Sequence, residues 1–299
     1  LVAFLTGCTA AADFPVRHAL IRDLVPEDEV INAMSLDTAS RAGMRMIGRF
    51  LGGGLLSLLG ASGAYIFLFG AYILGLALLL RVPNIPNPST EGARPVSVIK
   101  GLVEGLFYVL NNSVLRALLF ITVVMNSLVF SYIQFSPVFA RDILNVGPAL
   151  LGLMTGMEGA GFFLGAVTLA ALRKVRPLGF IFLLGAISAA IAVLLFSQST
   201  VYFLSVLLLF FAGIGLGGYA VTQHVIGVSV PPEVRARAMG VVALAIGLGP
   251  LGTIYVGLLA SHIGAPAAVG INALIASILV LSTIFFQPSL RKFTNPDYN

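Results

Sequence analysis

The strongest constraint on this chain is a series of unbroken apolar runs, each about 20 residues or longer, which is the length a helix needs to cross the roughly 30 Å hydrocarbon core of a bilayer. Nine such runs can be marked, at 2–23, 31–59, 62–81, 114–139, 148–172, 177–197, 201–226, 235–262 and 266–286. The cuts between them are proline, glycine and small polar residues such as Pro26-Glu27-Asp28, Asn145-Val146-Gly147-Pro148 and Pro231-Pro232-Glu233, the expected punctuation of helices. A membrane β-barrel would alternate apolar and polar residues, and these runs do not alternate. The expected fold class is an all-α polytopic membrane protein whose first partner is the lipid bilayer. Only 10% of the 299 residues are charged, against about 25% in a soluble domain.

The net charge of +5 gives no reason to expect nucleic acid as a partner. The basic residues lie in short loops between the apolar runs, as topology selection requires. One set of alternate loops holds Arg22; Arg81, Arg94, Lys100 and Arg116; Arg173, Lys174 and Arg176; Arg235 and Arg237; then Arg291 and Lys292. The opposite loops hold Arg141 and almost nothing else. By the positive-inside rule the first set is expected to be cytoplasmic, with the C-terminus inside the cell and the protein in the inner (plasma) membrane. The single cysteine, Cys8, rules out an internal disulfide and any cysteine-based metal cluster, and no cofactor or metal is expected. Leu1 opens in the middle of an apolar run without a start methionine, so the expectation is a chain lacking its first spans.

The one real linker is 82–112. Its first part, Pro83-Asn84-Ile85-Pro86-Asn87-Pro88, excludes regular structure. Its second part is amphipathic, with Ile99, Leu102, Val103, Leu106 and Leu110 on one side and Lys100 and Glu104 away from it. Two arrangements fit: a helix lying on the membrane surface, or a helical extension of the next span.

A shift of 205 residues aligns Val25, Pro26, Ala33, Met34 and Gly52 with Val230, Pro231, Ala238, Met239 and Gly257 without a gap. Parallel repeats of this kind mark the two halves of a secondary transporter. The division expected is 1–81 as three spans of a first half, 82–112 as the linker, 113–287 as a six-span second half and 288–299 as a cytoplasmic tail.

Charge inside the spans gives the candidate site. Asp37, Arg41, Arg45 and Arg49 recur at a spacing of four along one side of a helix, and such a stripe is tolerated only where it faces protein or a water-filled cavity. At 1.5 Å per residue, Arg41 and Arg45 lie about 15 and 21 Å from Ile31, Asp13 about 15 Å from Asp23, and Glu158 about 21 Å from Leu172. Acids and arginines therefore reach similar depths from separate helices. Two readings are open, and they can coexist: structural neutralisation of the arginines, with Arg17 placed to pair with Asp13, or an anion-attracting cavity with a protonatable carboxylate. Asn126 and Gln134 could hydrogen-bond a substrate or join helices. The histidines His18, His224 and His262 have no ligand spacing, and His262 reads as a loop residue. Gly48 with Gly52, Gly161 with Gly165, and the glycines from Gly213 to Gly218 read as helix-packing residues rather than as a phosphate loop.

The sequence resembles the major facilitator superfamily. Within it, the chain looks like the enterobactin-exporter and macrolide-efflux branch, of the transmembrane secretion effector type. The residues that carry the resemblance are Phe14-Pro15-Val16-Arg17-His18-Ala19-Leu20, Leu24-Val25-Pro26 with Asn32-Ala33-Met34, Ile47-Gly48 with Gly52-Gly53-Gly54, and Asn112-Ser113-Val114-Leu115-Arg116. Two departures stand out. Arg49 occupies a position where the family usually has proline, and the loop Leu172-Arg173-Lys174-Val175-Arg176-Pro177 keeps the basic residues of the superfamily's gating loop but lacks its aspartate.

The resemblance implies a helical bundle of twelve spans, nine of them in this chain. It implies a monomeric secondary transporter, no enzyme, that exports a small amphipathic or anionic molecule, such as a siderophore or drug, by alternating access against protons. In that scheme Arg41, Arg45, Arg49, Asn126 and Gln134 hold substrate, and Asp13, Arg17, Asp37 and Glu158 form the proton-coupling or ion-pair set. Arg173, Lys174 and Arg176 form the gating loop. The alternatives are a non-transporting receptor or scaffold on a transporter fold, and a polytopic membrane enzyme.

Overall fold

The computed structural model describes residues 20–21, 24–26, 29–81, 98–171, 178–218, 230–291 and 293, and its regular elements are all helical. In chain order these are α1 (Val30–Leu79), α2 (Val98–Asn111), α3 (Ser113–Val124), a π-helical turn (Met125–Val129), α4 (Tyr132–Val138), a second π-helical turn (Phe139–Ile143), α5 (Pro148–Ala171), α6 (Leu178–Gln198), α7 (Tyr202–Gly217), α8 (Pro232–Gly247), α9 (Gly249–Ile263), α10 (Ala265–Phe286) and the short α11 (Pro288–Arg291).

Among the described residues, six helical stretches are long and apolar enough to cross a membrane: Met46–Leu79, Ser113–Ile143, Pro148–Leu169, Gly179–Gln198, Arg237–Ile263 and Ala265–Phe286. The expected count of nine is not reached among these residues, for three separate reasons. The first expected span lies almost wholly outside the described residues. The runs at 31–59 and 62–81 are two helices that follow one another in α1 across a kink at Gly60, whose φ of 67° and ψ of −178° are not helical, as the expected cut there requires, and they count as one continuous stretch. The run at 201–226 is described only as α7, Tyr202–Gly217, shorter than the roughly 20 residues a crossing needs.

The chain divides into two compact units, one formed by Leu1–Arg45 and Ala61–Arg94 and the other by Met46–Gly60 and Pro95–Asn299. The described part of the first is helical over both of its α1 segments, and from Tyr65 to Leu80 its large apolar side chains are exposed, as lipid-facing residues are. The second holds the core. There α5 packs on α7, α7 on α6, α6 on α10 and α2 on α8, while the first π-turn lies against α9 and α10.

The closest of these contacts is α5 on α7, where backbones meet. A Cβ on Gly161 would collide with the Phe210 carbonyl, one on Gly213 with the Glu158 carbonyl, and one on Gly217 would stand 2.6 Å from the Ala166 nitrogen. Without a hydrophobic drive between helices in lipid, such small-residue approach is a main source of packing. The expected packing role of Gly161, Gly165, Gly213 and Gly217 is seen directly. Gly48 and Gly52 differ: nothing lies within 4 Å of a Cβ on either, and it is the neighbouring Gly53 that meets Gly152.

Local chemistry explains the breaks. Asn112, with φ −94° and ψ 118°, ends α2, and its side chain accepts from the nitrogens of Val114 and Leu115 to start α3. The linker helix is therefore separate from the span that follows it. Pro250, which has no N–H, falls just after the break at Leu248 between α8 and α9. His262 stands in the last turn of α9, exposed, rather than in the loop expected for it. The expected tail begins with α11, whose Leu290 is fully buried against Gly179.

Candidate functional site

A charge cannot stand alone in the hydrocarbon core, where it costs at least about 3 kcal/mol. The carboxylate of Glu158 meets that requirement through a partner on another helix. Glu158 is 4% exposed on α5, and it accepts from Arg49 Nη1 of α1 in an ion pair. The same nitrogen also donates to the Thr155 carbonyl at 3.1 Å, one turn earlier on α5.

The two helices can approach because α5 is lined with glycine along this face. A Cβ on Gly152 would collide with Gly53 Cα, one on Gly156 would sit 2.5 Å from the Phe50 ring, and one on Gly159 would stand 3.0 Å from Met46 Cα. Glu158 is thus flanked by small residues that bring Arg49 within reach. Access to the pair is uneven, the Arg49 side chain being 23% exposed and that of Glu158 6%.

A third helix contributes Tyr132. Its side chain is fully buried, edge-on to the Phe196 ring at 6.3 Å between centroids. Its hydroxyl lies in the field of both Glu158 and Arg49, without a partner of full hydrogen-bond geometry among the described residues. A buried hydroxyl without a bond is costly, and this one stands beside the carboxylate it would serve as a donor.

The expected site residues are distributed as follows. Arg49 and Glu158 come together. Asn126 is buried in the first π-turn, its amide folded back to donate to the Thr122 carbonyl at 2.9 Å. Gln134 is exposed and Asp37 half-buried. The backbones of Arg41 and Arg45 belong to α1, but their side chains lie outside the described residues. Asp13 and Arg17, the gating loop of Arg173, Lys174 and Arg176, and the histidines His18 and His224 also lie outside them.

Sequence reasoning missed Tyr132, although a lone phenol two residues from Gln134 in an apolar span was a usable signal. It also placed Arg41 and Arg45, not Arg49, at the depth of Glu158. Counting from the other ends would have found the pair. Arg49 is eleven residues before the break at Gly60, and Glu158 ten after Pro148, or about 16 and 15 Å.

Among the described residues no group of three or more His, Cys, Asp or Glu is arranged to hold a metal ion. Helices of crossing length, packed through glycine around a buried ion pair, define a multi-pass membrane protein of the kind that builds solute transporters. The chain belongs to the transmembrane secretion effector family of major-facilitator-type transporters, whose model matches residues 1–298. No curated relative matches the chain.

Proposed function

We propose that this protein is a secondary active exporter that works by alternating access, exchanging protons for a small amphipathic or anionic organic molecule of the siderophore or drug kind. The observation that carries the reading is the buried pair of Arg49 and Glu158 within membrane-spanning segments. The secretion named in the family's description supports export as the direction. The positive-inside pattern supports placement in the inner membrane with the C-terminus in the cytoplasm.

In this mechanism the inward-facing site binds substrate while Glu158 is ionised and paired with Arg49, the anionic group of the substrate being held by Arg41 and Arg45. After substrate leaves to the outside, Glu158 takes up an external proton, which neutralises the carboxylate and loosens its hold on Arg49. The protonated site turns inward without substrate. Loss of the proton to the cytoplasm restores the pair, because a carboxylate at that depth needs its counter-charge, so one proton enters for each substrate that leaves. Arg45 and Arg41, one and two turns before Arg49, extend the positive track, with Asp13 as a second proton carrier. Asn126 and Gln134 supply neutral contacts. Residues 1–81 and 113–287 act as the two halves, and the count of nine spans among twelve belongs to this reading.

The test is flux in proteoliposomes loaded with a pH-sensitive dye, with anionic catechols and amphipathic macrolides as substrates. The expected result is proton movement that depends on substrate and is abolished by Glu158→Gln. Normal transport by both Glu158→Gln and Arg45→Ala overturns the site. Absence of flux with every substrate class, alongside retained binding, favours a receptor on a transporter fold.

A further inference from the structure

The linker helix α2 has two faces of opposite use. One is turned to the protein: Gly105 and Val109 are buried, with Gly101, Leu102 and Tyr108 half-buried around them. This face is clamped to α8. A Cβ on Gly105 would stand 2.6 Å from the Arg237 carbonyl, Leu102 reaches to within 3.1 Å of where a Cβ on Gly240 would be, and Glu104 pairs with Arg237.

The other face carries Val103, Leu106, Phe107 and Leu110, exposed at 46%, 41%, 63% and 41%. At 100° per residue these four fall within about a third of the helix circumference. Sequence alone placed Leu102 on this stripe; docking on α8 takes Leu102 inward, and Phe107 forms the stripe's opposite edge.

Where the helix lies decides what covers this stripe. Asn112 is the only residue between α2 and the crossing stretch that starts at Ser113. The end of α2 is therefore fixed at the boundary of the bilayer, and the break at Asn112 turns the chain out of the span. Arg116 donates to the Leu110 carbonyl at 3.1 Å and is exposed. Its guanidinium has further N–H groups that can meet a phosphate. Lys100 occupies the position two turns before Phe107. An apolar stripe edged by basic residues, at the end of a span, matches the boundary between headgroups and acyl chains.

We propose that α2 is an in-plane membrane element. Its exposed stripe enters the headgroup–acyl boundary of a phospholipid surface containing anionic lipid, and Lys100 and Arg116 meet the phosphates. Through Glu104 and Gly105 it ties the start of α8 to the position of that surface. The inference rests on the membrane-spanning fold and not on the transport reading, so the two can fail separately.

The test uses the whole chain with Cys8→Ser and single cysteines placed in turn at Val103, Leu106, Phe107, Leu110 and Asn111, each spin-labelled. The protein is reconstituted either in vesicles of phosphatidylcholine alone or in vesicles containing one quarter phosphatidylglycerol. All five positions are exposed, so the label replaces no core contact. The expected result is that labels at the four apolar positions relax severalfold more with oxygen than with a water-soluble nickel chelate, while at Asn111 the balance shifts toward nickel. Lys100→Gln with Arg116→Gln is expected to remove the extra immersion that phosphatidylglycerol gives at Phe107. Nickel access at Phe107 equal to that at Asn111 overturns the proposal by placing the helix in water. Protection of Phe107 from both reagents overturns it in favour of a protein partner. Equal immersion of the wild-type and doubly substituted proteins in phosphatidylglycerol vesicles overturns the role of the two basic residues.

Discussion

Helix α5 meets neighbours on two faces, and the faces are built differently. Toward α7 the contact is backbone on backbone, through Gly161, Gly165, Gly213 and Gly217. Toward the Met46–Gly60 segment of α1, the glycines Gly152, Gly156 and Gly159 allow an equally close approach, but an ion pair lies among them. The first face is held by dispersion that is lost as soon as the helices separate. The second is held partly by charges that can be exchanged for other charges. One face of α5 therefore suits a permanent joint and the other a joint that opens when a competing anion or proton arrives.

The comparison breaks most sharply with a large side chain in the permanent joint. Gly213→Leu drives a side chain into the Glu158 carbonyl and is expected to abolish folded protein, read as loss of the monodisperse peak in detergent. Next in size is Glu158→Leu, which strands Arg49 and is expected to cost about 3–5 kcal/mol, seen as a large fall in Tm. The double variant Arg49→Leu with Glu158→Leu is expected to recover most of that stability, because a buried pair exchanged for apolar residues is near neutral. Substrate-dependent proton movement should stay absent in the double variant. If it returned, the pair would be structural, and the two faces of α5 would not differ in kind.

A smaller effect belongs to Gly152→Ala. Its methyl meets Gly53 Cα, and the expected cost is about 1–3 kcal/mol together with a fall in flux larger than the fall in Tm suggests. An equal fall in both would mark this face too as a permanent joint. The smallest effect is expected from Tyr132→Phe, which removes a buried hydroxyl beside Glu158. Stability should hold or rise by up to about 1 kcal/mol, because an unsatisfied buried hydroxyl is removed, with slower proton movement as the readout of its place beside Glu158. A large fall in Tm would show that the hydroxyl has a structural partner.

Much of this was legible in the sequence because it depends on local pattern. Apolar length marked the crossing stretches, and proline and glycine marked where they stop; Gly60 falls at the observed kink in α1, while the break at Leu248 lies inside a run read as unbroken. The small-residue spacing of Gly161 and Gly165 was enough to predict close packing. Gly48 and Gly52, which have the same spacing, meet nothing within 4 Å among the described residues. A spacing says that two residues share a side of a helix and not whether another helix lies against that side. The same gap separates the expected arginines from the observed one.

What the sequence determined by itself was the class of protein, because hydrophobic length is a property of one segment at a time. What only the tertiary structure decided was which charges meet. Glu158 takes Arg49 because glycines on α5 let the Met46–Gly60 segment close on that side, and Tyr132 comes beside them from a third helix. Rise along a helix fixes a residue's height. Its direction around the axis acquires a partner only when other helices pack against it.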